Sequence, residues 1–339
     1  MRRAMELAGL GLGSVSPNPL VGCVIVHNER IIGEGWHKKF GEPHAEVNAV
    51  SSVVDATHLP ASTVYVNLEP CAHFGKTPPC ADLLIEKKVR RVVISGRDPN
   101  PLVAGKGIER MRTAGIEIVE GVLGREGHWL NRRFFVWMEQ NIPYVILKWA
   151  ESADRKMAIP SKQLWISNAH SRQRVHQWRT QEDAVLVGSR TAETDNPRLN
   201  VRDWTGKNPV RIVIDPSMRL HDSLRLFDGS QLTLRYNKTI SESQPNIEKV
   251  NVGGEDLIHS ILKDLYNRKI GSIIVEGGAE TLARFINAGY WHEARVFQSG
   301  KTLGDGVAAP GISGKVVSED DSTGDLLTVM INPQLVKTG

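Results

Sequence analysis

The sequence predicts two α/β domains in tandem. Three observations lead there. The chain has 339 residues, about twice the ~100–200 of one domain and enough for two separate cores. Hydrophobic residues make up 40% and charged residues 24%, the balance of an ordinary globular chain, which argues against wholesale disorder and against a fibrous repeat. Two series of short apolar runs alternating with helical patterns lie on either side of residues 121 to 142, and such alternation is the mark of α/β folds.

In the first series, Arg3 to Leu12 reads as a helix, because Met5, Leu7, Ala8 and Leu12 can share a face. Gly9, Gly11 and Gly13 match the spacing of a dinucleotide fingerprint, but they follow a helix and not a strand, so the match is accidental. Val21 to Val26, a turn at His27-Asn28-Glu29, and Arg30 to Glu34 form a hairpin signal. A helix starts near His44, and strands follow at Thr63–Asn67 and Arg91–Ser95. Pro79 to Lys87 is a helix with proline at its start, where a missing amide hydrogen costs little. Lys106–Ala114 is a further helix leading into a strand at Ile116–Val119.

Residues 121 to 142 read as a connecting segment whose Trp129, Phe134, Phe135 and Trp137 pack between domains. The expected first domain is therefore 1–142 and the second 143–339. Strands of the second are expected at Tyr144–Trp149, Ala184–Val187, Val210–Ile214, Leu232–Leu234, Ser272–Val275 and Ala294–Gln298. Helices are expected at Ala169–Thr180, Asp256–Asn267 and Glu280–Ala288. This order implies a mainly parallel sheet covered on both faces. Residues 216 to 254 show no clear period.

Several classes are excluded early. No apolar run approaches the ~20 residues that span a bilayer. Glu6 and a glycine-rich stretch replace the apolar core of a signal peptide, so the expectation is a cytoplasmic protein. A net charge of +4, from 42 basic and 38 acidic residues, is small and interspersed and gives no sign of nucleic-acid binding. Three cysteines, Cys23, Cys71 and Cys80, do not make a disulfide scaffold.

The strongest chemical signal is Pro43-His44-Ala45-Glu46, followed by Pro70-Cys71 and Pro79-Cys80. His44, Cys71 and Cys80 offer one imidazole and two thiolates. Three protein ligands with a fourth position left for water is the catalytic form of a zinc site. Two thiolates cancel the charge of the metal, so the water is less acidified and a nearby base is useful; Glu46 is the candidate. Residues two apart do not share a face in mid-helix. In a first turn, however, His44 and Glu46 can converge just beyond the helix end, where the dipole favours negative charge. A closed structural site would need a fourth ligand, and His73 is the one close candidate. Cys23 lies in an apolar strand and reads as core.

His-x-Glu followed by Pro-Cys and a second Cys resembles the cytidine-deaminase superfamily, in which zinc hydroxide attacks a ring carbon bearing an amino group. Eight residues separate Cys71 and Cys80, where nucleic-acid and nucleoside deaminases commonly have two. Pro17-Asn18-Pro19, Val21 to Ile25, Gly33-Glu34-Gly35-Trp36-His37, Gly41 to Glu46, Glu69 to Cys80, Asp98-Pro99-Asn100-Pro101 and Val103 to Gly107 together resemble the bifunctional riboflavin-biosynthesis deaminase–reductase family, over essentially the whole chain. The resemblance implies a cytidine-deaminase-like domain followed by a dihydrofolate-reductase-like reductase domain. It implies zinc and NADPH as cofactors, and a diaminopyrimidinone carrying a phosphoribosylamino group as substrate. Deamination would precede reduction of the ribosyl chain to ribityl. It also implies that Asn18 holds the pyrimidine and that Lys76 and Thr77 lie near the phosphate or ribose.

For the second half the local signal is Ile273 to Gly278 opening a helix, a turn whose amides can approach a phosphate. By the resemblance, Trp165, Thr191, Asp195 and the turn Gly278, Ala279, Glu280, Thr281, Leu282, Ala283, Arg284 contact the cofactor. Gln163, Arg179, Leu199, Arg202 and Glu276 contact the substrate. Arg179 and Arg202 suit phosphate, because guanidinium matches it bidentately. The sequence departs from the family where Ala-Ser-Leu-Asp-Gly-Arg is usual after the lysine corresponding to Lys148. Here Glu151 stands at a cofactor-binding position, Arg155 replaces a glycine, and Gln163 replaces a common serine. An active deaminase with an impaired reductase is therefore one alternative. A nucleic-acid deaminase with an appended domain is another, and the cysteine spacing and modest charge count against it. The family implies a homodimer or homotetramer, though no interface stripe is visible.

Overall fold

The computed structural model describes residues 1–73, 78–101, 103–160 and 164–336. Lys76, Thr77 and Gln163 lie outside the described residues. The chain divides into two compact units, Met1–Gln140 and Asn141 onward. Among the described residues no helix is long and apolar enough to cross a membrane.

The first unit comprises α1 (Arg2–Gly9), β1 (Gly22–His27), β2 (Arg30–Trp36), α2 (Ala45–Ser51), β3 (Thr63–Val66), α3 (Cys80–Glu86), β4 (Arg91–Ile94), α4 (Lys106–Thr113), β5 (Glu117–Val119), α5 (Gly124–Leu130) and α6 (Arg132–Gln140). Its sheet runs β2-β1-β3-β4-β5. β1 pairs antiparallel with β2 and β3, and the β3–β4–β5 pairs are parallel. The β1–β2 turn places Asn28 and Glu29 at φ 48° and 61°, the two-residue geometry that matches strand twist. Alternate residues of β1 face opposite sides. Cys23 and Ile25 enter a core with Ala45, Ala49, Val66 and Leu84, while Val24 packs with Ala4 and Leu7 of α1. Burial on both faces is why β1 reads as an unbroken apolar run.

Two expectations change here. The first helix stops at Gly9 and not at Leu12. The connecting segment is two helices of the first unit, held by buried Asn131, whose amide accepts from the Leu20 amide and donates to the Leu20 carbonyl at 2.8 and 2.9 Å.

The second unit comprises β6 (Tyr144–Glu151), β7 (Lys156–Ala158), α7 (Ala169–Gln181), β8 (Ala184–Gly188), α8 (Ser189–Asp195), β9 (Val210–Ile214), β10 (Thr233–Asn237), β11 (Glu242–Gln244), β12 (Ile247–Asn251), α9 (Leu257–Asn267), β13 (Ser272–Val275), α10 (Ala279–Asn287), β14 (Glu293–Ser299), β15 (Val307–Ala308), β16 (Lys315–Ser322) and β17 (Asp325–Ile331). The sheet order is β11-β12-β10-β9-β8-β13-β6-β14-β17-β16. The strands from β12 to β14 in that order are parallel; β11 at one edge, and β17 and β16 at the other, are antiparallel. β8 and β13 are buried along their whole length, as strands inside a parallel sheet must be. β11, β12, β16, β17 and the short β7–β15 pair were not expected, and β10 overlaps the strand expected at Leu232–Leu234.

Candidate active sites

The first candidate site is built at two helix starts. His44 is the residue before α2, and its side chain makes no capping bond, which leaves the imidazole directed away from the helix. Glu46 sits in the first turn and is only 3% exposed. α2 can lie this close to β2 because Gly35 has no side chain. A Cβ there would stand 2.3 Å from the Ala49 nitrogen and 2.6 Å from the Ala45 oxygen, well inside contact distance.

Cys80 opens α3, with Pro79 one residue earlier than the expected first-turn position. The Cys80 amide donates to Cys71 Sγ at 3.3 Å, and the Ala81 amide donates to the Cys71 carbonyl at 3.1 Å. The start of α3 therefore clasps the loop that carries the other thiol. His44 Nδ1 lies 3.6 Å from Cys71 Sγ and 3.4 Å from Cys80 Sγ, and the three ligand atoms fall within 4.8 Å of one another. Tetrahedral zinc with bonds of about 2.3 Å to sulfur and about 2.0–2.1 Å to nitrogen separates those atoms by about 3.6 Å. The donor set fits zinc in both chemistry and size.

Burial pushes the Glu46 carboxyl up to about 6, with the Cys71 sulfur adding to the rise. The Cys71 thiol moves the other way, down to about 4, because Cys80 and His44 donate to it. A carboxyl near 6 beside a thiolate suits a group that must both take and give a proton.

Asn18 is held by a residue that the sequence reading did not single out. Its amide lies 3.1 Å from His37 Nε2, and His37 Nδ1 lies 3.1 Å from the Pro43 carbonyl. A carbonyl can only accept, so Nδ1 carries the hydrogen and Nε2 accepts from the Asn18 amide nitrogen. Burial lowers the His37 pKa, which favours that neutral form. The orientation of the Asn18 amide is thereby fixed, next to the residue that precedes His44. Glu69 is a second missed residue. Its buried carboxylate accepts from the amides of Asp98, Gly105, Gly107 and Ile108 at 2.9 to 3.3 Å, and so ties the start of the Cys71 loop to the 98–108 segment. Both residues lie inside the quoted motifs; their signal was a polar side chain between apolar strand ends.

The second candidate site is a cleft of about 1550 Å³ where β8, β9 and β13 end, the usual ligand position in an open parallel sheet. Thr191, Asp195, Glu276, Gly278, Ala279, Glu280, Thr281 and Arg284 all line it. Gly188 and Gly278 precede α8 and α10, so two helix starts face the same space. The Gly278 amide donates to Thr191 Oγ1 at 2.8 Å. Gly277 has to be glycine, because a Cβ there would meet the Thr281 Cβ at 2.7 Å.

Other expected residues are placed differently. Leu282 is fully buried in the core, and neither it nor Ala283 is among the lining residues. Trp165 is exposed and stacks with the Arg172 guanidinium at 4.9 Å. Leu199 is buried at φ 48°, and half-exposed Arg202 lies beside Asp203. Arg179 is engaged inside the protein. Its Nε and Nη2 donate to both Glu276 oxygens at 2.8 and 2.9 Å, and Nη1 donates to the Asn200 carbonyl at 2.9 Å. Burial alone would raise the Glu276 carboxyl, but Arg179, with Lys148 nearby, holds it down to about 2. Lys148, the lysine that opens the departing motif, lies inside the apolar strand β6, and burial lowers its pKa.

Glu151 does not line the cleft among its described residues. It is buried, accepts from Trp149 Nε1 at 2.8 Å and pairs with Arg155 at 3.5 Å. Arg155 takes φ 58°, the left-handed region where glycine is at home. The two departures thus partner each other, and the carboxylate is neutralised locally.

Comparison with known proteins agrees with this geometry. The profile of the cytidine and deoxycytidylate deaminase zinc-binding region matches residues 1–96, and that of the RibD C-terminal domain matches residues 143–323. The riboflavin biosynthesis protein RibD of Actinobacillus pleuropneumoniae is 40% identical over 95% of this chain and 88% of its own length. That of Aquifex aeolicus is 39% identical over 91% and 88%. Among solved structures, the Thermotoga maritima diaminohydroxyphosphoribosylaminopyrimidine deaminase/5-amino-6-(5-phosphoribosylamino)uracil reductase superposes with a TM-score of 0.91 at 38% identity, covering 98% of this chain and 97% of that one. With a zinc-binding deaminase region ahead of an NADPH-dependent reductase domain, the chain belongs to the RibD family of bifunctional riboflavin-biosynthesis enzymes.

Proposed function

We propose that the first site deaminates 2,5-diamino-6-(5-phosphoribosylamino)pyrimidin-4(3H)-one and that the second reduces the product to 5-amino-6-(5-phosphoribitylamino)uracil. The observation that carries the first step is the convergence of His44, Cys71 and Cys80 on one point beside buried Glu46. Zinc held there supplies Lewis acidity that makes a water acidic near neutral pH. Glu46 takes the proton lost by that water and passes it to the leaving amino group, which departs as ammonia. Asn18, oriented by His37, holds the pyrimidine.

In the second site NADPH supplies the hydride for the anomeric carbon. As the bond from that carbon to the ring oxygen breaks, the oxygen needs a proton. Lys148, an amine on β6 whose charge acts on Glu276, is the donor in this reading. Thr191, Asp195, Gly278, Ala279, Glu280, Thr281 and Arg284 hold the cofactor, with Leu282 anchoring their turn in the core, while Arg202, Leu199 and Glu276 face the substrate. Lys76, Thr77 and Gln163 keep the substrate roles that the family implies. Glu151 supports the cofactor side only indirectly, through Trp149 and Arg155.

Free Cys71 and Cys80 support a reducing compartment, the cytoplasm, and small interspersed charge supports a small-molecule substrate with neither nucleic acid nor membrane as partner. The family supports a homodimer or homotetramer, which light scattering would check.

One incubation tests the central reading. Purified protein is given the diaminopyrimidinone ribosyl phosphate with and without NADPH, and ammonia and NADPH are followed together. Ammonia is expected in both samples, with NADPH consumed only as deamination proceeds. Ammonia without NADPH consumption would leave the impaired reductase; no ammonia from zinc-loaded protein would overturn the substrate. Glu46→Gln is expected to abolish ammonia release with zinc still bound, at a loss of at least ~10²-fold.

A further inference from the structure

We propose that His176 is a positioning residue of the reductase, which holds the 200–203 segment so that Arg202 meets the phosphate of the substrate. This rests on the reading of the second site as a reductase for a ribosyl phosphate. His176 lies on α7, one turn before Arg179, and is 3% exposed. A backbone amide can only donate, so His176 Nδ1, 3.3 Å from the Arg202 nitrogen, is the bare ring nitrogen. Nε2 then carries the hydrogen and faces Asp203 Oδ2 at 3.3 Å.

Residues three apart on a helix share a face. From that face Arg179 Nη1 donates to the Asn200 carbonyl while His176 accepts from Arg202. The Val201 amide, between them, donates to Asn208 Oδ1 at 2.8 Å. Just upstream, Leu199 is buried at φ 48°, a conformation a leucine keeps only where its surroundings impose it. Residues 200 to 203 are thus each held by a specific polar contact, and Arg202 is the basic side chain that projects from them half-exposed, beside Asp203. Of the two arginines that suit phosphate in the sequence, Arg179 has its fork committed to Glu276, and Arg202 is the one whose guanidinium is half-exposed. Burial, with Arg179 and Arg202 nearby, lowers the His176 pKa to about 4, which keeps its lone pair available.

The test uses the full-length zinc-loaded protein, NADPH, and 5-amino-6-(5-phosphoribosylamino)uracil with or without its phosphate. His176→Asn keeps an acceptor on the Nδ1 side; His176→Gln and His176→Ala do not. The expected result is a rise in substrate KM of about tenfold, the scale of one hydrogen bond, for the Gln and Ala variants. Their NADPH KM and kcat stay within about twofold, and the Asn variant stays within about threefold throughout. On the substrate without phosphate, the Ala variant and the natural protein should agree. Asp203→Ala removes the partner of Nε2 from an exposed side chain and should raise the KM of the phosphorylated substrate alone; an unchanged KM would overturn the part given to that contact. An Asn variant as weak as Ala, a rise that persists without the phosphate, or equal changes in NADPH KM would overturn the positioning role. If the natural protein fails to oxidise NADPH with the phosphorylated substrate, the reductase reading itself falls, and this inference with it.

Discussion

Glu46 is buried and Glu276 only 10% exposed, yet their carboxyls are moved in opposite directions, to about 6 and about 2. The difference lies in the neighbours. Glu46 faces sulfur and the core, whereas Glu276 faces a guanidinium fork. Glu151 is a third case, held by an indole and a half-exposed arginine. In a double-mutant cycle of Glu151→Ala and Arg155→Ala, the coupling measured by denaturant unfolding is expected to be about 0.5–1 kcal/mol, modest because Arg155 is exposed to solvent. No coupling would mean that the two departures arose independently. His292 gives a pH prediction. It accepts from the Val145 amide at 3.0 Å, and burial lowers its pKa to about 3. The unfolded chain binds a proton near pH 6.5 that the folded chain refuses until about pH 3, so stability falls as pH drops through that window. The slope from this one group is at most about 1.4 kcal/mol per pH unit. His292→Asn keeps an acceptor for Val145 and should remove about one proton from the slope measured between pH 6 and 4.

At the level of elements, α2 matters most, because it brings His44 and Glu46 to the site and rests on Gly35. Gly35→Ala would drive a methyl group into the α2 backbone. The expected cost is about 1–3 kcal/mol, seen as a lower melting temperature together with lost zinc; retained zinc and full activity would show that the contact relaxes freely. Most elements were legible because their apolar period is local: the hairpin, α7, α9 and the parallel strands other than β12 fall within a few residues of expectation. β10 runs past the strand expected at Leu232–Leu234 because Arg235 is buried in it, satisfied by Asp215 and Asp222 at 2.7 to 2.9 Å. A charge that is neutralised from 13 and 20 residues away looks, in sequence, like a solvated loop. β16 is exposed along nearly its whole length, so it has no alternating pattern to find.

For the whole molecule, the two units carry their own chemistry, and metal removal should separate them. Chelation is expected to abolish ammonia release while NADPH oxidation with supplied 5-amino-6-(5-phosphoribosylamino)uracil continues; loss of both would mean that the second site depends on the metal. The candidate metal triad could be read directly, because cysteine is scarce and His44 and Cys80 sit at helix starts that local residues define. The α/β order of both halves was legible for the same reason: hydrophobic period and turn residues act over a few positions. The pairing of buried charges was not. Arg179 looked like a free phosphate clamp and is instead bound to Glu276, 97 residues away. His37 and His176 looked like ordinary polar residues and hold Asn18 and the Arg202 backbone. Residue type fixes what a side chain can do. Which partner it meets, and at what dielectric, depends on distant segments that only the folded chain brings within hydrogen-bonding range.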